Sequence, residues 1–314
     1  MPESPVHLVE VGPRDGFQME KRTVPTGLKA VIVEMLVAAG LREIQIVAFV
    51  HPKRVPQMAD AEALIRRLPR NPDVRYTGLA LNVRGVERAA ACGLETVEVS
   101  ISASEVQGRR NAGMDRKTAL ATGREMVRRA RELGLSVVAG VQCAFGCVCP
   151  GGVPEDHVRE AAGVLLEAGV ERLTLADTTG MATPPMIGAR IEAIRDLAGN
   201  VPLGLHLHDT RGLGLVNAMA GLAAGVSSLD TAFGGLGGCP FVEGAAGNIP
   251  TEETVHLLES LGRETGVDRR AVAACSRRMA EFFGRDLAGK LYRLDEAKED
   301  GCPAAEMGPL DPTG

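Results

Sequence analysis

Short apolar runs alternate along the chain with longer segments whose apolar residues recur every three to four positions. The short runs are typical of buried β-strands, and the longer segments are typical of amphipathic helices. The pattern predicts strands at His7–Val11, Glu43–Val47, Tyr76–Leu81, Thr96–Ile101, Ser136–Gln142, Arg172–Ala176, Leu203–Leu207 and Ser228–Thr231. It predicts helices at Gly27–Ala39, Ala59–Arg67, Val83–Ala91, Arg116–Leu133, Pro154–Ala168, Pro184–Leu197, Leu213–Ala224, Glu252–Thr265 and Arg269–Phe283.

The regular order of these elements indicates the fold class. Several predicted helices end in a glycine that can adopt a positive φ, namely Gly40, Gly93, Gly134, Gly169 and Gly225. A helix–glycine–strand rhythm that recurs along the chain predicts an α/β protein of the (β/α)8 TIM barrel type, a single domain with a C-terminal helical extension. An open doubly wound sheet is the alternative, but the loop at 12–16 lacks the Gly-x-Gly-x-x-Gly spacing typical of that fold.

Length and composition limit the possible classes of protein. The chain has 314 residues, of which 45% are hydrophobic, and it carries a net charge of -5. We expect the barrel to occupy residues 1–267 and a helix with a polar tail to occupy 268–314, the tail being either poorly ordered or an arm that depends on a partner. Without a basic stripe or a long apolar run, the sequence predicts neither a nucleic-acid partner nor a membrane span. An odd number of cysteines, seven, and the absence of a signal pattern predict reduced thiols in the cytoplasm.

Two histidines at the end of the seventh predicted strand are candidate metal ligands. His206 and His208 are two positions apart, so a strand turns both imidazoles to the same face. In a barrel, the carboxyl end of the first strand would bring Asp15 to the same rim. This mixed set suits Mg²⁺, Mn²⁺ or Zn²⁺, and Asn248 could add a neutral oxygen. The alternatives are structural: histidines on a polar edge, Asp15 in an Asp-Gly turn, and Asn248 as a helix cap.

Cysteines occur in two regions that could carry chemistry. Cys239 follows a run rich in glycine, which we interpret as a mobile loop that closes over a substrate, although a lone cysteine is usually a small buried hydrophobe. Cys143, Cys147 and Cys149 have a Cys-x3-Cys-x-Cys spacing that fits no common zinc or iron–sulfur site. The sequence therefore favours a functional role only for Cys239.

Several motifs together resemble one enzyme family. They are Val9–Gly16, Phe49–Lys53, Val55–Met58, Asp177-Thr178, His206–Thr210 and Gly235–Pro240, and they occur in the expected order from about Val6 to Val267. The chain resembles the 3-hydroxy-3-methylglutaryl-CoA lyase family, which implies a (β/α)8 barrel, an acyl-CoA substrate and a Mg²⁺ or Mn²⁺ cofactor. It also implies cleavage of the glutaryl thioester to acetyl-CoA and acetoacetate.

The resemblance also implies roles for individual residues. Asp15, His206, His208 and Asn248 would be the cation ligands. Arg14 would lie beside the thioester carbonyl, and Cys239 would be the catalytic thiol. We therefore expect the catalytic group to comprise Arg14, Asp15, His206 and Cys239. We expect substrate contacts from Gln45, Asp177, Thr178, Asn82, Arg110 and Asn111.

The second predicted strand departs from the family pattern. The family has Glu where this chain has Gln45, and Ser where it has Ala48. Gln45 cannot carry charge, so the electrostatics around Arg14 and the substrate preference are expected to differ. If the glutaryl thioester is the native substrate, restoring the carboxylate by Gln45→Glu is expected to raise its cleavage.

Three alternatives remain open at this point. One is a lyase or aldolase that acts on another 3-hydroxyacyl thioester or acid. A second is a condensing acyl transferase of the isopropylmalate synthase type, but those enzymes have His-x-His-Asn-Asp where this chain has His206–Thr210. A third is a catalytically silent homologue used in assembly, which would not need every ligand. For the enzyme itself we expect a homodimer in the cytoplasm.

Overall fold

Eight parallel strands form a closed barrel. The structure is a computed structural model that describes residues 6–149, 152–238, 242 and 244–294. The strands are β1 (His7–Glu10), β2 (Glu43–Ala48), β3 (Arg75–Ala80), β4 (Thr96–Ser102), β5 (Ser136–Gln142), β6 (Arg172–Asp177), β7 (Leu203–Leu207) and β8 (Ser228–Thr231). Each pairs with the next, and β8 closes the ring on β1. The predicted TIM barrel is confirmed, and the open sheet is excluded.

Helices cover the outside of this barrel. They are α1 (Thr26–Ala38), α2 (Ala61–Arg67), α3 (Val83–Ala91), α4 (Glu105–Ala112), α5 (Arg116–Glu132), α6 (Glu155–Glu167), α7 (Pro184–Ala198), α8 (Gly214–Ala223), α9 (Thr251–Ser260) and α10 (Arg269–Phe283). On α7, Ile187, Ile191 and Ile194 are buried at helical spacing, so one face of the helix packs on the strands. None of the described helices is long and apolar enough to cross a membrane.

The sequence pattern missed one helix and extended another too far. Most positions of α4 are polar, so no apolar stripe predicts it; the Ser104 side chain caps its start by accepting from the Gln107 amide at 3.3 Å, and Gly113 ends it at φ 74°. The helix predicted to run to Thr265 stops at Ser260, because Gly262 takes a positive φ of 73°.

A cluster of charged side chains fills the amino-terminal end of the barrel. The Glu43 carboxylate accepts from Arg172 Nη1 at 3.1 Å and from His7 Nε2 at 2.7 Å. Burial works to raise the pKa of Glu43, but the hydrogen bonds from His7 and Arg172 outweigh it and lower that pKa to about 2. The barrel is therefore plugged at this end, and the space for a ligand lies at the other.

The C-terminal segment packs on the barrel as far as it is described. Val272 and Met279 of α10 are buried, and the helix lies against α1 and α9. The tail that we predicted to be poorly ordered or dependent on a partner, Asp295–Gly314, lies outside the described residues. The cysteines in the described part of the chain are free thiols: Cys92, Cys143, Cys147, Cys149 and Cys275.

Candidate metal centre and substrate cavity

A cavity of about 880 Å³ opens at the carboxyl ends of the strands. This is the face on which TIM barrels carry their active sites. Predicted site residues that line the cavity are Arg14, Asp15, Asn82, Arg110, Asn111, Thr178, His206 and His208. The fold therefore gathers His206 of β7 and residues from the segments that follow β1, β3, β4, β6 and β7 around one space large enough for a small-molecule ligand.

The turn after β1 presents two charged side chains next to each other. Residues 12–16 form one turn of π-helix, with Gly16 N donating to Val11 O at 3.4 Å. A Cβ on Gly12 would lie 2.6 Å from Glu10 Oε1, so only glycine allows the chain to turn here. Arg14 and Asp15 are both buried, and Arg14 Nη1 donates to Asp15 Oδ1 at 2.5 Å. Single π-turns occur frequently at functional sites.

His206 in β7 and His208, the residue that follows this strand, lie close to Asp15 in the cavity. His206 Nε2 and His208 Nε2 are 3.2 Å apart, and they lie 4.0 and 3.7 Å from Asp15 Oδ2. Donors that share one cation at bonds of about 2.0–2.2 Å lie roughly 3–4 Å from one another. In the part of the chain that the structure describes, no second group of three histidine, cysteine or acidic ligand atoms comes this close. The geometry fits a divalent cation.

Two further side chains support that fit. Asp230 Oδ2 accepts from His206 Nδ1 at 3.1 Å, so the Nε2 lone pair of His206 faces the cluster. Asn248 Nδ2 donates to Asp15 Oδ2 at 2.8 Å, which places this amide beside the cluster as predicted. The other amide atom, Asn248 Oδ1, is buried and accepts no hydrogen bond within the described residues. An unpartnered buried amide oxygen is a suitable additional ligand.

The charges of the cluster stabilise one another. Burial works to raise the pKa of Asp15, but the Arg14 guanidinium and the two imidazoles hold that pKa well below its ordinary value. Burial works to lower the pKa of His206, but Asp230 and Asp15 raise it. Asp15 is thus an anion throughout the physiological range, as a cation ligand must be.

Asp230 gives the first testable expectation. We expect Asp230→Asn to weaken Mn²⁺ binding by about 10–100-fold, because the partner that orients the His206 ring is lost. Isothermal titration with Mn²⁺ measures this, and Asp196→Asn, an exposed aspartate on α7, is the control. Unchanged affinity in Asp230→Asn would show that His206 needs no such support.

Arg14 is also tied to β2 and β4. Its Nε donates to Gln45 Oε1, and Gln45 Nε2 donates to Glu98 Oε2. Burial and the Asp230 carboxylate raise the pKa of Glu98. Gln45 is fully buried and lies behind Arg14, whereas Glu98 lines the cavity. The carboxylate of this hydrogen-bonded network is therefore Glu98 on β4, whereas the β2 residue, Gln45, is neutral.

The other predicted substrate residues lie at the rim or behind it. Asn111 Nδ2 donates to Gln142 Oε1 at 3.2 Å, and Arg110 Nη1 lies 3.8 Å from Cys149 Sγ. Asn82 caps α3, accepting from the Gly85 amide at 2.9 Å. Thr178 lines the cavity, but both oxygens of Asp177 accept from backbone amides of the following loop. Their contacts with substrate stay a prediction.

The glycine-rich segment before Cys239 is packed where it is described. Gly234 N donates to Glu252 Oε2 at 2.9 Å, and Asn248 Nδ2 donates to Leu236 O at 3.0 Å. Gly234 and Gly237 have φ values of 61° and 131°. Positive φ explains the glycines at Gly234, Gly235 and Gly237. The loop movement that we inferred around Cys239 stays a prediction. Cys239 itself lies outside the described residues.

The sequence analysis missed two acidic side chains that line the cavity, Glu98 and Asp230. Both are acidic residues within buried strands, Thr96–Ser102 and Ser228–Thr231. A charged residue within a buried strand needs a partner, and that signal was present in the sequence.

The fold and the site define a class of protein, a TIM barrel with a cluster of side chains that fits a divalent cation. Comparison with known proteins agrees with this class. The HMGL-like family model matches residues 5–278. The cytoplasmic 3-hydroxy-3-methylglutaryl-CoA lyase of Danio rerio is 41% identical over 273 residues, covering 85% of this chain and 81% of that protein. The (R)-citramalyl-CoA lyase of Chloroflexus aurantiacus is 38% identical over 303 residues, covering 91% and 96%.

A solved structure extends the comparison to three dimensions. The HMG-CoA lyase of Acinetobacter baumannii, in complex with coenzyme A and 3-methylmalate, superposes with a TM-score of 0.88 at 32% identity, covering 99% of each chain. The chain belongs to the HMGL-like family, and it is a lyase. The predicted resemblance is confirmed. Relatives include forms named cytoplasmic and mitochondrial, so the cytoplasmic location stays a prediction.

Proposed function

We propose that the chain is a divalent-cation-dependent lyase that cleaves the C2–C3 bond of a 3-hydroxy-3-methylacyl-CoA, with 3-hydroxy-3-methylglutaryl-CoA as its substrate. The observation that carries this is the convergence of Asp15, His206 and His208 on one point of the cavity. Asn248, through its unpartnered Oδ1, completes the ligand set. When bound, Mg²⁺ or Mn²⁺ lowers the pKa of the 3-hydroxyl and orients the substrate oxygens.

Each residue then has a defined part in the reaction. The 3-hydroxyl proton passes to the Asp15 carboxylate, because both ring nitrogens of His206 are already engaged, one with Asp230 and one with the cation. C3 becomes a ketone, and the electrons of the C2–C3 bond move to the thioester as an enolate. Arg14 donates to the enolate oxygen, where its fixed charge stabilises the transition state. The thiol of Cys239 protonates C2 to give acetyl-CoA. The thiolate then takes up a proton from solvent and the protonated base releases one, so the enzyme returns to its starting state. The geometry of Arg14 supports its part, since its guanidinium is held at the cavity wall by two partners.

A shorter acyl group is the second candidate. The citramalyl-CoA lyase relative matches over 96% of its own length, and this chain has Gln45 where the family pattern has a glutamate. Citramalyl-CoA carries the same 3-hydroxyl and 3-methyl groups with one methylene fewer before its carboxylate. A single methylene changes discrimination by only about 10–200-fold, so one barrel can serve either substrate with small changes in its pocket.

The proposal is tested by assaying a panel of 3-hydroxyacyl-CoA thioesters with and without EDTA. We expect acetyl-CoA from the glutaryl thioester, loss of activity in EDTA, and recovery with Mn²⁺ or Mg²⁺. If kcat/KM is higher for the citramalyl thioester than for the glutaryl thioester, the citramalyl group replaces the glutaryl group as the proposed acyl group. The proposed role of the cation is unchanged by that result. Cleavage that persists in EDTA would refute the proposed cation dependence.

Cys239 gives a separate expectation. We expect Cys239→Ala to fold with an unchanged thermal midpoint and to lose about 10²–10⁴-fold in turnover, the usual contribution of a positioned acid. Steady-state kinetics beside thermal unfolding measures both. Cys92→Ala, which removes a half-buried thiol between α3 and β4, is the matched control. Full activity of Cys239→Ala would remove this thiol from the reaction.

A further inference from the structure

The Gln45 amide is held in one orientation between a guanidinium and a carboxylate. Its Oε1 accepts from Arg14 Nε, and its Nε2 donates to Glu98 Oε2. Gln45 is fully buried, so these contacts cannot be exchanged for water. If the amide were turned by 180°, its NH₂ group would face the guanidinium, a donor against a donor. Since a carboxylate oxygen accepts hydrogen bonds, Glu98 favours the orientation in which Gln45 Nε2 faces Glu98 and Gln45 Oε1 faces Arg14.

The barrel interior is shaped to hold this carboxylate. Glu98 lies in mid-strand on β4, in register with Leu79 of β3 and Val138 of β5. A Cβ on Gly140 of β5 would lie 3.1 Å from Glu98 Oε1 and 3.0 Å from Ser100 Oγ. A glycine at this position therefore leaves room for the Glu98 side chain. An acidic residue kept among apolar strands without a role would only destabilise the fold.

We propose that Glu98 is a positioning residue which, through Gln45, holds the Arg14 guanidinium at the cavity wall. Arg14 does not contact the Glu98 carboxylate of β4 through this network directly. The neutral Gln45 amide of β2 lies between them and is hydrogen-bonded to both. This inference rests on the proposed part of Arg14 in the reaction.

The arrangement changes what Gln45→Glu should do. In that variant a carboxylate oxygen takes the place of Nε2 and faces Glu98 Oε2, so two acceptors meet in a buried site. The family's glutamate therefore does not fit here by itself. Exchanging both residues, Gln45→Glu with Glu98→Gln, restores one donor and one acceptor between positions 45 and 98, with the direction of that hydrogen bond reversed. Arg14 Nε still donates to the residue at position 45.

The exchange is the test. We expect Gln45→Glu and Glu98→Gln each to lower kcat, Gln45→Glu by about tenfold or more, with KM and Mn²⁺ affinity little changed. The double variant is expected to recover kcat to within about threefold of the wild type. Glu95→Gln, an exposed carboxylate just before β4, is the matched control and should match the wild type throughout.

The outcomes separate this proposal from the proposed function. The positioning role would be overturned if the kcat losses of the two single variants multiply in the double variant. It would also be overturned if Glu98→Gln keeps the wild-type kcat and shows only a lower Tm. If the wild type cleaves no thioester of the panel, the proposed function fails. The Tm values of the same four proteins then decide whether the pair is coupled: recovery in the double variant supports the hydrogen-bonded relay, and additive losses overturn it.

Discussion

Replacing Asp15 by asparagine is expected to lower turnover by about 10³-fold or more. Asp15 is the only carboxylate of the described cluster, and a bound cation contributes several kcal/mol of transition-state stabilisation that depends on it. The substitution also disturbs its neighbours, because Arg14, Gln18 and Asn248 all donate to the Asp15 carboxylate. Mn²⁺ affinity should fall with activity by at least about 100-fold.

The measurement combines Mn²⁺ titration with steady-state kinetics on folded protein. Thermal unfolding of Asp15→Asn in EDTA shows whether the barrel itself is intact. Asp196→Asn is the matched control, because it removes a carboxylate that pairs with Arg159 on the surface at 3.2 Å. An Asp15→Asn enzyme that keeps both its Mn²⁺ affinity and its turnover would contradict the account of the site.

Arg14→Lys is expected to lower kcat by about 10²–10³-fold while leaving KM and Mn²⁺ affinity close to wild type. The guanidinium fork reaches Gln45 through Nε and Asp15 through Nη1 at once, with further N–H groups left for a substrate oxygen. A lysine ammonium keeps the charge but cannot hold this planar geometry. Loss of one positioned donor to a developing oxyanion has this magnitude in other enzymes.

Separate kcat and KM values distinguish this effect from weaker substrate binding. Arg159→Lys, at the surface, controls for the change of residue type. A rise in KM with unchanged kcat would mean that Arg14 binds the substrate equally in the ground state and the transition state. That result would remove Arg14 from the chemical step.

Most of the fold could be predicted because parallel barrel strands are buried on both faces. Such strands appear as continuous apolar runs between glycines, and Ser136–Gln142 and Leu203–Leu207 have the predicted bounds. The helix α4 could not be predicted from hydrophobicity, because its stability depends on the Ser104 cap and on packing against the barrel. A short polar helix leaves little periodic signal.

The candidate ligands could be predicted because strand geometry places them. The i, i+2 spacing of His206 and His208 fixes a shared face, and a barrel brings the turn after β1 beside β7 and β8. The contact between Gln45 and Glu98 is different in kind. These residues are on β2 and β4, two strands apart, and their side chains meet only because both point into the closed barrel. The sequence alone shows that Gln45 departs from the family pattern, but it does not show that Glu98 is the hydrogen-bond partner of Gln45.

The central claim is that one cation is held between the turn after β1 and the carboxyl end of β7, and anomalous diffraction from Mn²⁺-soaked crystals tests it most directly. We expect a single strong manganese peak within about 2.3 Å of Asp15 Oδ2, His206 Nε2 and His208 Nε2. A peak elsewhere in the barrel, or none at a saturating Mn²⁺ concentration, would contradict the account.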